Sequence, residues 1–266
     1  MLMDTPLQKR YKILVIGESC LDVYSFLSQK KYYKETRLYD EDTPVLVVNR
    51  ENKKPGMAAN VKISLESLGC NVVFLTNDEP IIKNRLVDET NNRHIARIDS
   101  YDKVDPLKIS FLEADDLIDY DAVVFSDYDK GLIDKEVTAK IVRNFQGPIF
   151  VDSKKRDLSQ FENCFLKINE LEFSLAKQFP ENYEIIVTLG KSGARYNNVN
   201  YPPESVEVLD VCGAGDNFLV GLCVGYLETG EIPDAIHLGN YFASLSLGHV
   251  GNNSVNKEDL EVFYAR

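Results

Sequence analysis

Histidine is scarce in this 266-residue chain: His94, His237 and His249 stand alone, too few for a catalytic triad or a metal cluster. The five cysteines, Cys20, Cys70, Cys164, Cys212 and Cys223, are odd in number and never form a Cys-x-x-Cys pair. That pattern argues against a disulfide framework or a zinc site and fits reduced thiols serving as small core residues. No apolar run approaches the ~20 residues of a membrane span, and Met1–Arg10 contains none. The expectation is a soluble cytoplasmic protein. Positive charge is also short, with 30 Lys and Arg against 42 Asp and Glu, a net charge of −12 and a pI near 4.8. Neither a nucleic-acid partner nor an anionic membrane fits that balance, and any anionic ligand needs a local gathering of cations or N–H groups.

The chain does have the apolar content for a core, 44% of residues, and the length for one large α/β domain with or without a small appendage. Continuous apolar runs at Lys12–Gly17, Asn71–Thr76, Ala122–Ser126, Pro148–Val151 and Glu184–Leu189 read as parallel strands covered on both faces. Helical spacing recurs over Ala58–Leu68 and Ile133–Phe145, and from Pro233 through Leu238, Phe242 and Leu245. Such alternation predicts a doubly wound sheet with ligands at the carboxyl ends of its strands. Two stretches break the rhythm. Val23–Lys54, with a strand at Val45–Val48, and Lys83–Asp99, with Leu86, Ile95 and Ile98, read either as a small separate sheet or as surface excursions.

The most informative stretch is Asp210-Val211-Cys212-Gly213-Ala214-Gly215-Asp216-Asn217-Phe218. It links a β-rich segment, Ser205–Leu209, to a helical pattern over Phe218–Thr229 that stops at Gly230. A Gly-Ala-Gly turn entering a helix directs several N–H groups one way, and the helix dipole adds partial positive charge there. Asp216 stands at the mouth of this anion site. It is either a first-turn acid after a Gly-rich turn, or a base that takes a proton from a hydroxyl while the site stabilises a phosphoryl group in transit.

Asp210–Phe218 resembles the C-terminal motif of the ribokinase-like (PfkB) carbohydrate kinases, usually Asp-Thr-x-Gly-Ala-Gly-Asp. Pro55-Gly56-Met57-Ala58-Ala59-Asn60-Val61 is similar to that family's N-terminal Gly-Gly-x-x-x-Asn-type motif. Glu18-Ser19-Cys20-Leu21-Asp22-Val23-Tyr24, Ser126-Asp127-Tyr128-Asp129-Lys130-Gly131, and Lys83-Asn84-Arg85 with Arg97-Ile98-Asp99 resemble one branch, the D-glycero-β-D-manno-heptose 7-phosphate kinases of lipopolysaccharide-precursor synthesis. The resemblance runs from about Lys12 to Val255. Met57 replaces a usual second Gly, Cys212 a common Thr and Asn217 a small residue. The chain is also shorter between Asn77 and Lys83, where the family carries a further helix and strand. No cytidylyltransferase domain follows Arg266, so the kinase reaction alone is expected. The implied fold is ribokinase-like: a doubly wound, mainly parallel sheet with helices on both faces (residues 1–22, 56–82 and 100–266) and a small β lid (23–55 and 83–99).

The resemblance implies an ATP-dependent, Mg²⁺-requiring sugar kinase acting on the anomeric hydroxyl of a heptose 7-phosphate, or on another sugar, sugar phosphate or nucleoside. A non-catalytic regulatory protein that binds sugar or nucleotide is the rival from another class. Asp216 becomes the base, with Gly213, Ala214 and Gly215 forming the anion hole. Asp22, at the end of the first strand, Gly56 and Asn60 would take sugar hydroxyls; Asn60 reads equally as a turn or capping residue. Lys83, Arg85, Arg97 and Lys130 would meet a substrate phosphate, with Lys83 and Arg85 on one face of an alternating strand. Thr188, Gly190 and Gly193 resemble the nucleotide loop, and Asn240 and Gly251 fall where the family meets adenine. Lys154 would reach a phosphate or belong to a solvated run, Lys154-Lys155-Arg156. Asn169 and Glu172 match the family's Mg²⁺-organising Asn-x-x-Glu and also have capping-box spacing. Unpaired edges on the lid strands suggest a homodimer through paired lids.

Overall fold

The computed structural model describes residues 7, 9–27, 46–79, 81–91, 93–109, 114–203, 213–247 and 254–266. In chain order the strands are β1 (Lys12–Gly17), β2 (Ser19–Leu27), β3 (Val48–Met57), β4 (Asn71–Leu75), β5 (Ile81–Asp88), β6 (Arg93–Ser100), β7 (Ala122–Asp127), β8 (Ile149–Ser153), β9 (Cys164–Asn169), β10 (Tyr183–Thr188), β11 (Ala194–Tyr196) and β12 (Val199–Tyr201). The helices are α1 (Ala58–Ser67), α2 (Ala114–Leu117), α3 (Lys135–Asn144), α4 (Glu170–Leu175), α5 (Ala214–Thr229), α6 (Ile232–Leu247) and α7 (Lys257–Tyr264). Contacts divide the chain into two compact units, one of Met1–Glu18, Met57–Asn77 and Val104–Arg266, the other of Ser19–Gly56 and Asp78–Lys103.

The first unit holds an eight-stranded sheet in the order β12-β11-β10-β9-β8-β7-β1-β4. Strands β4 through β10 in that row run parallel, and β11 and β12 are antiparallel additions at one edge. The continuous apolar runs arise because both faces are covered. Ile13 and Val15 of β1 pack with Val61, Leu222, Phe242 and Leu260 from α1, α5, α6 and α7. Leu14 and Ile16, pointing the other way, pack with Val137 and Ile141 of α3. This is the doubly wound architecture that the β-α alternation predicts. Helices α5 and α6 cross closely: a Cβ at Gly221 would stand 2.7 Å from Gly239 Cα and 2.8 Å from the Leu238 carbonyl oxygen. Among the described residues no helix is long and apolar enough to cross a membrane.

The second unit is a four-stranded sheet, β3-β2-β5-β6. β2 and β5 are parallel; β5 and β6 are antiparallel, with an irregularity between Leu86 and Val87. The strand expected at Val45–Val48 is displaced: β3 begins at Val48, with Leu46 and Val47 before it, and Val45 lies outside the described residues. β3 is an exposed edge strand carrying Arg50, Glu51, Lys53 and Lys54, and charge at an edge hides a strand from apolar pattern reading.

Other boundaries also differ from expectation. Asp22 is not at the end of β1, which stops at Gly17; it lies within β2 of the second unit. α5 starts at Ala214 rather than Phe218, because Gly213 takes φ 79° and turns the chain directly into the helix. Met57, where the resembling family has glycine, enters α1 at φ 58° and ψ −135°, a region that glycine occupies without strain. The segment Ser205–Leu209 lies outside the described residues.

Candidate active site

A cavity of about 1160 Å³ opens in the first unit. Its wall is built from Asp152 of β8, Lys167 and Asn169 of β9 and Thr188 of β10, then from the Gly190–Gly193 loop, the start of α5 at Gly213–Asp216, and Asn240 and Ser244 of α6. The carboxyl ends of parallel strands are where a doubly wound sheet leaves room for ligands.

Asp216, buried in the first turn of α5, is held from two sides. Tyr128 donates its hydroxyl to Oδ1 at 2.8 Å, and Asn60 donates its amide to Oδ2 at 3.0 Å. Asn60 is neither a turn nor a capping residue; it lies within α1, whose packing against α5 carries the amide to the carboxylate. Burial pushes the Asp216 carboxyl above the usual range and the Asp152 charge adds to this, while both hydrogen bonds and Lys167 oppose it. Gly213 has no side chain to cap α5, and the helix closes its first bond from Asn217 N–H to the Gly213 carbonyl. The geometry thus gives Ala214, Gly215 and Asp216 N–H no acceptor inside the helix.

Beside this N-terminus runs a chain of ion pairs. Lys167 Nζ lies 2.6 Å from Asp152 Oδ2, and a Cβ on Gly215 would stand 3.0 Å from the same nitrogen. Lys154 takes Asp152 Oδ1 at 2.9 Å and Glu172 Oε1 at 2.7 Å. Burial opposes ionisation of Asp152, but the two ammonium groups outweigh it and hold the carboxyl below its ordinary value. Lys154 loses from burial and is nevertheless raised by its two carboxylate partners. The run Lys154-Lys155-Arg156 is therefore not simply solvated, since Lys155 also turns inward, to Asp127 at 2.9 Å. The capping box is present: Asn169 Oδ1 accepts from Glu172 N–H and Glu172 Oε2 from Asn169 N–H, each at 2.8 Å.

Both of those oxygens retain a lone pair. An amide and a carboxylate in this state fit a Mg²⁺ ion that keeps most of its water shell. Among the described residues no group of three or more His, Cys, Asp or Glu gathers as a closed metal site. In the expected nucleotide loop, Gly190 has φ 58° and nothing within 4 Å of where a Cβ would be, leaving its backbone open. Gly193 has φ 85°, and a Cβ there would overlap the Tyr201 carbonyl and press on Pro203. Asn240 is buried and donates to the Tyr201 carbonyl at 2.8 Å. Gly251 lies outside the described residues.

In the second unit, Arg85 Nε sits 2.9 Å from Asp22 Oδ1. Gly56 borders the same carboxylate, which a Cβ would overlap. Lys83 and Arg85 share a face of β5, with Lys83 opposite Asp22 in register and Arg85 opposite Arg97 of β6. Arg97 is exposed and paired to Asp99 at 2.8 Å. In the first unit Lys130 lies in the loop after β7, its backbone N–H bound to Glu18.

Residues 159–259 match the pfkB family carbohydrate kinase. The chain matches that family over 101 of its 266 residues. It is 28% identical over 310 aligned positions to "Bifunctional protein HldE" of Campylobacter jejuni subsp. doylei, across 96% of this chain. The chain spans 65% of that relative's length. Among solved structures, ribokinase from Thermotoga maritima superposes with a TM-score of 0.69 at 17% identity, over 96% of this chain and 100% of that one. Arabidopsis thaliana ribokinase, solved with ribose and ATP, gives 0.68 at 13% identity, over 96% and 98%.

Three side chains lining this cavity were given no role in the sequence reading: Lys167, Asp152 and Tyr128. Lysine inside the β9 segment Cys164–Asn169 looks like a surface residue, yet it is buried against a carboxylate. One signal was available, because residues two apart on a strand share a face, which places Lys167 beside Asn169. Tyr128 sits inside a quoted motif, but nothing local shows that its hydroxyl reaches Asp216. The four described cysteines are buried free thiols.

Proposed function

We propose that this domain transfers the γ-phosphoryl group of ATP to a sugar hydroxyl, and that the acceptor is the anomeric hydroxyl of a heptose 7-phosphate. The observation that carries the transfer is Asp216, held between Asn60 and Tyr128 at the N-terminus of α5 inside the cavity. Asp216 takes the proton from the attacking hydroxyl. Burial makes it a stronger base than an exposed aspartate, and its two donors keep it aimed. The N–H groups of Ala214, Gly215 and Asp216 receive the charge that builds on the transferred group, and Lys167 adds a fixed cation beside them. Thr188, Gly190, Gly193 and Asn240 hold the nucleotide, and Lys154 meets its phosphates. Asn169 and Glu172 would hold Mg²⁺. When bound, Mg²⁺ neutralises phosphate charge.

For the acceptor, Asp22, Gly56 and Asn60 bind hydroxyls, and Lys83, Arg85, Arg97 and Lys130 supply the cations that a phosphorylated sugar requires in an acidic protein. The test is ADP release from ATP and Mg²⁺ across heptose 7-phosphate, fructose phosphates, ribose, fructose and nucleosides. Stimulation by heptose 7-phosphate alone supports the full reading. Turnover on an unphosphorylated sugar keeps the kinase and removes the heptose. Bound ATP with no turnover on any acceptor replaces catalysis with a sensing role.

A further inference from the structure

We infer that Tyr128 is a positioning residue for Asp216, and that Glu18 is the carboxylate that holds Tyr128 in place. The inference rests on the kinase reading and adds to it the means by which the base is kept ready. Each Asp216 oxygen accepts one hydrogen bond, Oδ1 from Tyr128 and Oδ2 from Asn60. One donor per oxygen fixes the plane of the carboxylate and leaves a lone pair on each for a substrate hydroxyl.

The two donors are supported differently. Asn60 is carried by a regular helix, but Tyr128 stands in an irregular loop between β7 and α3. That loop turns through Asp129 at φ 57° and Gly131 at φ 118°, and has no ladder of its own to fix a phenol. Glu18 supplies the anchor. It is fully buried, with Oε2 accepting from Tyr128 N–H at 2.8 Å and Oε1 from Lys130 and Leu132 N–H at 3.1 and 3.2 Å. Three N–H groups around one carboxylate are the compensation that an interior charge requires. Neighbouring Asp127, also buried, is neutralised separately by Lys155 at 2.9 Å and accepts from the Ser153 hydroxyl at 2.7 Å. Together the two acids tie the loop that carries Tyr128 to the end of β1 and to β8.

The chemical effect has a definite sign. A hydroxyl donating to a carboxylate favours its ionised form, whereas burial favours the neutral acid. The groups acting on Asp216 are Asn60 from α1, Tyr128 from the loop after β7, Asp152 from β8 and Lys167 from β9. Burial and the Asp127 charge push the Glu18 carboxyl above its ordinary value, and the loop N–H groups oppose this. Tyr128 therefore keeps a buried base ionised while it waits for a proton.

Tyr128→Phe removes one oxygen and keeps the ring. The acid limb of its kcat/KM–pH profile is expected to move upward by about one pH unit, the scale of a hydrogen bond to a charged group, with KM for ATP unchanged. Glu18→Gln, whose amide nitrogen cannot accept, is expected to move the limb in the same direction. Glu18→Asp, withdrawing the charge by one methylene, takes its place if Glu18→Gln does not fold. A Tyr128→Phe limb that coincides with wild type overturns the inference, and a coincident Glu18 variant overturns its second half. Turnover presupposes the kinase, so the Asp216 carboxyl is also titrated without substrate by ¹³C NMR, assigned by its loss in Asp216→Asn. An upward shift in Tyr128→Phe supports the positioning even in a protein that phosphorylates no sugar of the panel. An unmoved resonance overturns it.

Discussion

Lys167 Nζ lies 2.6 Å from Asp152 Oδ2 with both side chains buried, and the two residues face each other in register across β9 and β8. Asp152 also holds Lys154, so one carboxylate sits between two ammonium groups. The arrangement keeps positive charge next to the start of α5, where the helix N–H groups already favour an anion. Because Gly215 has no Cβ, the Lys167 ammonium has room beside that turn.

Lys167→Met keeps the length of the side chain and deletes its charge. Asp152 retains Lys154, so destabilisation is expected near the lower end for a broken buried pair, roughly 3 kcal/mol. Turnover is expected to fall further than that loss of stability explains, at temperatures where the variant is still folded. Denaturant titration alongside ADP release separates the two effects, and full turnover in a folded variant would remove Lys167 from the reaction.

Asp216→Asn is expected to trade function for stability. The Asp216 carboxyl is raised in the fold, with burial as the main cause. Such a group favours folding while it is neutral, below its unfolded pKa, and that contribution is lost as pH rises through the folded pKa. At neutral pH the wild type thus carries a buried charge that asparagine lacks. Thermal unfolding should show a higher Tm for the variant near pH 7, the gap closing toward about pH 4. Turnover should drop about 10²–10⁴-fold with ATP binding kept. A lower Tm at neutral pH would contradict the assigned cost.

Glu172→Gln separates the two readings of Asn169 and Glu172. Glutamine at this position still completes a capping box, and Lys154 loses one carboxylate but keeps Asp152, so stability should change by about 1 kcal/mol or less. The Mg²⁺ concentration for half-maximal turnover should rise, because a carboxylate has been replaced by an amide. An unchanged Mg²⁺ requirement would leave the pair with a capping role alone.

Gly221→Ala tests the crossing of α5 and α6. The added carbon meets backbone of Gly239 and Leu238, which cannot swing aside as a side chain would. The expected loss is about 1–3 kcal/mol by denaturant titration. A neutral result would mean that the helices separate more easily than their contact implies.

Much of the architecture was legible in local pattern. The apolar runs at Lys12–Gly17 and Ala122–Ser126 emerged as central strands because burial on both faces demands uninterrupted hydrophobicity. The turn at Gly213 and the stop at Gly230 were legible because both residues take positive φ, which glycine allows. β9, α7 and the start of β3 were not. Lys167 interrupts the first, and α7 is set by the Asn256–Asp259 capping box rather than by a long apolar stripe. β3 shows its charged residues to solvent.

Run length, periodicity and glycine placement act over a few neighbouring residues, so the amino-acid order alone established the doubly wound sheet and the Gly-Ala-Gly turn that leads into a helix at Asp216. The partners of the buried charges depend on strand order and register, which bring together residues distant in the chain. Tyr128 reaches Asp216 across 88 positions, Asn60 reaches it across 156, and Glu18 binds the Tyr128 loop across 110. No local pattern encodes these meetings. They follow from packing β7, α1 and α5 around one core, and they decide which donors surround each buried carboxylate.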